Sequence, residues 1–145
     1  MYRRSATLIL TKRLHVRYNT TMSQETVLIV EDSIDLADTL QDILELHGFK
    51  ALVATSGKDG IALALAHHPD LIMLDIRLPD MSGYEVLHAI RQDVWGATAR
   101  CMILTASESL ENIAKNVDLP LEYILFKPSC SIADIIERVE SRLNS

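Results

Sequence analysis

Two cysteines in 145 residues exclude a disulfide-stapled scaffold. Cys101 and Cys130 also lack the spacing of metal ligands, so both read as ordinary buried or surface thiols in a reducing, cytoplasmic setting. No apolar run approaches the roughly 20 residues that a membrane-spanning helix needs, so no membrane role is expected. No internal repeat and no low-complexity linker interrupts the chain. The residue pattern Gly-x-Gly-x-x-Gly does not follow the first apolar run, which excludes the usual dinucleotide-binding turn. Acidic residues are missing from positions 1–21, where Arg3, Arg4, Lys12, Arg13 and Arg17 give a charge of +5.

What is present is one domain's worth of ordinary globular composition, 48% hydrophobic and 23% charged. From Met22 onward nine basic residues face twenty acidic ones, a net charge of −11. So acidic a body repels nucleic acid, and no direct nucleic-acid binding is expected. Residues 1–21 are read as a basic N-terminal extension or a start assigned too early, with Met22 as the alternative start. Their short apolar patch Ala6–Leu10 is weak for a secretory signal. Residues 22–145 are read as the domain.

The pattern from Thr26 alternates short apolar runs with amphipathic stretches. Val27–Val30, Lys50–Ala54, Leu71–Leu74, Cys101–Leu104 and Tyr123–Phe126 read as strands. The first helix starts after Ser33, carries an apolar side at Ile34, Leu36, Leu40, Ile43 and Leu44, and ends at Gly48. Further helices are expected over 58–67, from Tyr84 to about Gln92, weakly over 110–116, and after Ser131. The last has a capping box of Ser131 and Asp134, with Ile132, Ile135, Ile136, Val139 and Leu143 on one face. Five strand–helix units imply a doubly wound α/β fold, a five-stranded parallel sheet with helices on both faces. The chain stops just after the fifth helix, so no output domain is expected to follow it.

Ligands of open parallel sheets gather at the carboxyl ends of the strands. Those ends carry Glu31 and Asp32, then Asp75, Thr105 and Lys127. Three carboxylates, a hydroxyl and an ammonium at one rim suit a Mg²⁺-assisted phosphoryl acceptor. Magnesium takes oxygen ligands in near-octahedral geometry. Asp32 and Asp75 would ligate directly and Glu31 directly or through water, with the backbone carbonyl of Arg77 as a further ligand. Asp75 is then the nucleophile, since an aspartate can form an acyl phosphate. Lys127 would neutralise charge on the phosphoryl oxygens, and the Thr105 hydroxyl would hydrogen-bond one of them. Repulsion among the acids predicts at least one raised carboxyl pKa without metal.

The segments Val27–Ser33, Met73–Gly83, Ile103–Ala106 and Lys127-Pro128 together resemble the receiver domain of two-component response regulators. The run Met73-Leu74-Asp75-Ile76-Arg77-Leu78-Pro79-Asp80-Met81-Ser82-Gly83 carries most of that specificity. The resemblance covers about Thr26 to Leu143 and implies a flavodoxin-like receiver fold. It implies Asp75 as phosphoacceptor, Glu31 and Asp32 as metal-binding acids, Thr105 as switch hydroxyl and Lys127 as the phosphate-contacting lysine. It also implies a histidine kinase or histidine phosphotransfer protein as phosphodonor and an effector protein as downstream partner. Such a domain takes part in its own phosphorylation and is not an enzyme in the turnover sense.

Several positions depart from the family pattern. An aromatic is usual three residues before the active-site lysine, where this chain has Ile124; Tyr123 is one place earlier. Either Ile124 replaces the aromatic, the favoured reading, or a bulge lets Tyr123 serve. The first reading expects Tyr123→Ala to leave phosphorylation-dependent partner binding largely intact. Asp118-Leu119-Pro120 stands where Gly-Ala is common, so the fourth helix is expected to be short or mobile. The charged pattern of the winged-helix regulators' dimer face is not evident. Ala106 is small enough to leave a phosphoryl group open to water, and Arg77 and Ser107 sit where dephosphorylation is tuned. His47, His67 and His68 read as polar helix ends and Trp95 as a loop anchor. The rivals are a scaffold that never takes phosphate, a detached receiver module of a hybrid phosphorelay, and a haloacid-dehalogenase-type phosphatase. The phosphatase would need a second acid two residues beyond its nucleophile, where this chain has Arg77.

Overall fold

The computed structural model describes residues 24–106 and 108–144. The basic extension expected over residues 1–21, the alternative start at Met22 and the role expected of Ser107 lie outside the described residues. Strands β1 (Thr26–Val30), β2 (Lys50–Ala54), β3 (Leu71–Leu74), β4 (Cys101–Thr105) and β5 (Ile124–Phe126) alternate with helices. These are α1 (Ile34–Leu46), α2 (Gly57–His67), α3 (Gly83–Arg91), α4 (Leu110–Asn116) and α5 (Ile132–Leu143). All pairings are parallel, in the order β2-β1-β3-β4-β5. Among the described residues no helix is long and apolar enough to cross a membrane.

Parallel strands covered on both faces must be apolar on both sides, and here alternate residues feed two separate cores. Leu28, Val30, Ile72, Leu74, Cys101, Ile103 and Ile124 pack beneath α2, α3 and α4, where Ala64, Val86, Ile90 and Ile113 meet them. Val27, Ile29, Leu71, Met73, Met102 and Leu104 face the other way, against Leu40 and Leu44 of α1 and Ile135, Ile136 and Val139 of α5.

Each of these helices begins with a serine whose hydroxyl accepts a backbone N–H of the first turn. The caps are Ser33, Ser56, Ser82, Ser109 and Ser131. Ser82 and Ser131 complete reciprocal capping boxes with Glu85 and Asp134. Gly48 follows α1 at φ 90°, a conformation that glycine adopts without a Cβ penalty.

Three expectations need correction. Ile34 and Ile132 do not face the core; they are 64% and 39% exposed. Both are the first residue of their helix, and helical side chains tilt back toward the N-terminus, away from the turns that follow. Ala37 takes the buried place instead. Tyr123 is not in β5 but closes a 3-10 turn, Leu121–Tyr123, ahead of it.

Strand β5 pairs without a skipped residue, as Ile103↔Ile124, Leu104↔Leu125 and Thr105↔Phe126, so no bulge turns Tyr123 toward the α4 side. Tyr123 is 4% exposed and lies in the α1/α5 core, with the Arg142 guanidinium 4.6 Å above its ring. Its substitution by alanine would excavate that core, so Phe is the informative replacement. Helix α4 is short as expected, with seven residues and one of them, Ile113, buried. Trp95 is anchored by its ring stacked on His68, centroids 4.5 Å apart.

Candidate functional site

The strand order reverses between β1 and β3, which opens a crevice beyond their carboxyl ends. Glu31 and Asp75 stand on either side of it. The Asp75 amide donates to the Val30 carbonyl at 3.0 Å, and the Glu31 amide to Ala54 at 3.0 Å, so the sheet ladder fixes both backbones. The loop after Asp75 turns back at once: the Gly83 amide donates to the Ile76 carbonyl at 2.7 Å. A Cβ on Gly83 would sit 2.4 Å from the Asp75 carbonyl oxygen, so only glycine permits that approach.

The three expected acids come together. One carboxylate oxygen from each of Glu31, Asp32 and Asp75 lies within 4.8 Å of the others. Glu31 and Asp75 are buried, 3% and 6% exposed, whereas Asp32 faces solvent. Beneath Glu31 and Asp75 the floor is apolar, made by Ile29, Leu40, Met73 and Leu104. Lys127 reaches in from the end of β5. Its Nζ donates to Asp75 Oδ2 at 2.8 Å and forms a second ion pair with Glu31 Oε1. The remaining oxygens are engaged by backbone: Arg77 N–H donates to Asp75 Oδ1 at 3.2 Å and Ser33 N–H to Glu31 Oε2 at 3.3 Å. Thr105 ends β4 and is fully buried, and Ala106 beside it is exposed. The Arg77 side chain is exposed.

Burial raises the Glu31 carboxyl to about 7; the Asp75 charge adds to the rise, and hydrogen bonding to Lys127 limits it. A raised acid was expected from mutual repulsion; the larger cause is desolvation. Burial works against the charge of Lys127, but hydrogen bonds to Asp75 and Glu31 outweigh it and hold the ammonium above its ordinary range. The donor set is hard, oxygen-only and anionic, with one open edge at Asp32. That chemistry fits Mg²⁺ and is wrong for softer metals that prefer sulfur or imidazole.

Two features escaped sequence reasoning. The Asp80 carboxylate accepts the N–H groups of Gly57 and Lys58 at 2.8 and 2.9 Å, tying the loop after Asp75 to the start of α2. Those hydrogen bonds hold the Asp80 carboxyl below its ordinary range. Tyr84 donates its hydroxyl to Glu108 Oε2 at 2.6 Å, joining α3 to the segment before α4. In sequence Asp80 was only a turn residue, and nothing marks Tyr84 and Glu108, 24 positions apart, as neighbours.

Comparison with known proteins agrees with this geometry. The sequence model of the response regulator receiver domain matches residues 27–140. The chain is 33% identical over 118 residues to the probable transcriptional regulatory protein TcrX of Mycobacterium tuberculosis, covering 81% of this chain and 49% of that protein. It is 39% identical over 69 residues to the polar-differentiation response regulator DivK of Brucella ovis, covering 48% of this chain and 56% of DivK. The chain thus spans about half the length of the curated relatives it matches. A CheY-like receiver domain protein from Methanospirillum hungatei superposes with a TM-score of 0.74 at 28% identity, over 84% of this chain and 95% of that one. With this match and the crevice between β1 and β3, the chain belongs to the response regulator receiver domain family.

Proposed function

We propose that this receiver accepts a phosphoryl group on Asp75 from a histidine kinase or histidine phosphotransfer protein and signals by docking to an effector protein. The observation that carries the reading is the pairing of a buried nucleophile with its charge balance. Asp75 stands with Glu31 and Asp32 within one metal-sized cluster and is contacted by Lys127 at 2.8 Å. Asp32, Asp75, Glu31 and the Arg77 carbonyl are the residues that would hold Mg²⁺. The divalent charge of a bound Mg²⁺ would offset the negative charge gathered on the phosphoryl oxygens.

In the transfer, an Asp75 carboxylate oxygen forms a bond to phosphorus as the phosphorus–nitrogen bond of the donor imidazole breaks. The bonding pair leaves with that nitrogen. Lys127, cationic at neutral pH, shifts its hydrogen bonds from carboxylate to phosphoryl oxygen. The Thr105 hydroxyl donates to another phosphoryl oxygen. Hydrolysis restores the carboxylate, with exposed Ala106 leaving an approach for water. The protein is consumed and regenerated as a substrate, which is why it is read as a switch and not as a turnover enzyme. The transcriptional relatives favour a second reading of the output, a DNA-binding effector under receiver control.

Intact-mass measurement after incubation with Mg²⁺ and acetyl phosphate tests the proposal. One added phosphoryl group on wild type and none on Asp75→Asn is the expected result. Wild type that stays unlabelled across small donors and kinases would mean a scaffold, and label persisting in Asp75→Asn would move the site.

A further inference from the structure

The loop that leaves Asp75 is a closed hairpin. Its base is drawn together by the Gly83 amide, which donates to the Ile76 carbonyl at 2.7 Å, and by an antiparallel bridge between Arg77 and Ser82. That base reaches the nucleophile directly, because the Arg77 amide donates to Asp75 Oδ1 at 3.2 Å. At the exposed tip, Asp80 grips a different element. Its Oδ1 accepts the Gly57 amide at 2.8 Å and its Oδ2 the Lys58 amide at 2.9 Å. Both amides belong to the first turn of α2, where backbone N–H groups lack partners within the helix and the helix dipole favours negative charge. Beside Asp80, Met81 packs on Gly57 so closely that a Cβ there would lie 2.4 Å from Met81 Cγ. Helix α2 is a firm support, with Gly57, Gly60 and Ala64 buried. Its start is capped separately by Ser56, whose hydroxyl accepts the Asp59 amide at 3.2 Å.

Asp80 is not one of the acids that gather at the crevice, which are Glu31, Asp32 and Asp75. Both of its oxygens are spent on α2, and those hydrogen bonds keep the carboxyl ionised at neutral pH. An ionised acceptor makes hydrogen bonds roughly twice as strong as a neutral one. With its tip fixed in this way the hairpin cannot pivot about its base, and the Arg77 amide stays on Asp75 Oδ1. We propose that Asp80 is a positioning residue for phosphoryl acceptance: it braces the hairpin against α2 and so holds the Asp75 carboxylate in one orientation. Asp80 itself touches no reacting atom. The inference rests on the phosphoacceptor reading of Asp75.

Two measurements on the full chain test the brace. Intact mass against time, with acetyl phosphate and saturating Mg²⁺, gives the rate of phosphoryl uptake. Hydrogen exchange of the Arg77 amide, followed by NMR, reports its contact with Asp75. Asp80→Ala is expected to slow uptake about tenfold, the order of loss that a sub-ångström misplacement of a reacting group brings. It should also speed exchange at Arg77. Asp80→Asn, with one acceptor oxygen in place of two, should fall between that variant and wild type. Ser56→Ala is the control, since it weakens the start of α2 without touching the hairpin. It should lower stability in urea and keep wild-type uptake and Arg77 exchange. Wild-type uptake by Asp80→Ala, or slowed uptake with unchanged Arg77 exchange, overturns the proposal. Equal slowing by Ser56→Ala also overturns it, by tracing the effect to the helix and not to the brace. Wild type that takes up no phosphoryl group overturns the phosphoacceptor reading beneath it.

Discussion

At Glu31, burial over an apolar floor and the charge of Asp75 favour the protonated carboxyl, while Lys127 draws it back toward ionisation. With its carboxyl raised to about 7, protonation of this residue would compete with the Mg²⁺ binding proposed for it. Mg²⁺ affinity should therefore rise with pH up to about 7 and level off above it. On the acid side the change approaches about tenfold per pH unit, the slope of one competing proton. Titrations of Mg²⁺ at pH 6, 7 and 8 check this, and Glu31→Gln should flatten the profile; a flat wild-type profile refutes it. For the metal-free protein the linkage has the opposite sign. The folded form binds the proton more tightly than the unfolded chain, whose value is 4.5, so this contribution to stability is full below that pH. It is lost as pH rises through about 7.

The elements divide into those set by local chemistry and those set by what lies opposite. Serine at each helix start supplies an acceptor that the first turn needs wherever the helix sits. Tyr123 is the contrary case. Its place beneath α5 follows from the 3-10 turn before β5 and from Arg142 and Ser141 meeting it there; its hydroxyl lies 3.3 Å from the Ser141 hydroxyl. Tyr123→Phe should thus lose about 1 kcal/mol or less and keep wild-type phosphorylation and phosphorylation-dependent partner binding. Tyr123→Ala should lose about 3–5 kcal/mol through the cavity it leaves. Urea unfolding measures the first pair of values and a binding assay the second property. Loss of coupling in the still-folded Phe variant would make Tyr123 part of the relay after all. With β5 unbulged, Ile124 occupies the α4-side position where the family usually has an aromatic.

Over the whole molecule, the acids that would hold Mg²⁺ come from two neighbouring strands, and Lys127 from a third. An unfolded chain cannot assemble that set, so ligand binding must stabilise the fold by mass action. At ten times its dissociation constant, Mg²⁺ should add about 1.4 kcal/mol to unfolding stability. Urea unfolding with and without Mg²⁺ measures it, and the gain should vanish in Asp75→Asn with Asp32→Asn. An equal gain in that double variant would place the metal elsewhere.

The sequence by itself determined the five strand–helix units, because apolar periodicity and strand-end chemistry are local properties that repeat along the chain. It also determined which residues crowd the rim, since parallel strands put their carboxyl ends on one side. Glu31, Asp32, Asp75, Thr105 and Lys127 were legible for that reason. The tertiary structure decided what those residues do to one another. Lys127 bridges Glu31 and Asp75, and desolvation more than repulsion raises Glu31. Asp80 fastens α2, and Glu108 joins α3 to α4. Such contacts depend on how far one helix lies from another, and no periodicity within either helix encodes that distance. Ile34 and Ile132 make the same point in reverse: each has the residue type of a core position, yet each is exposed at the first position of its helix.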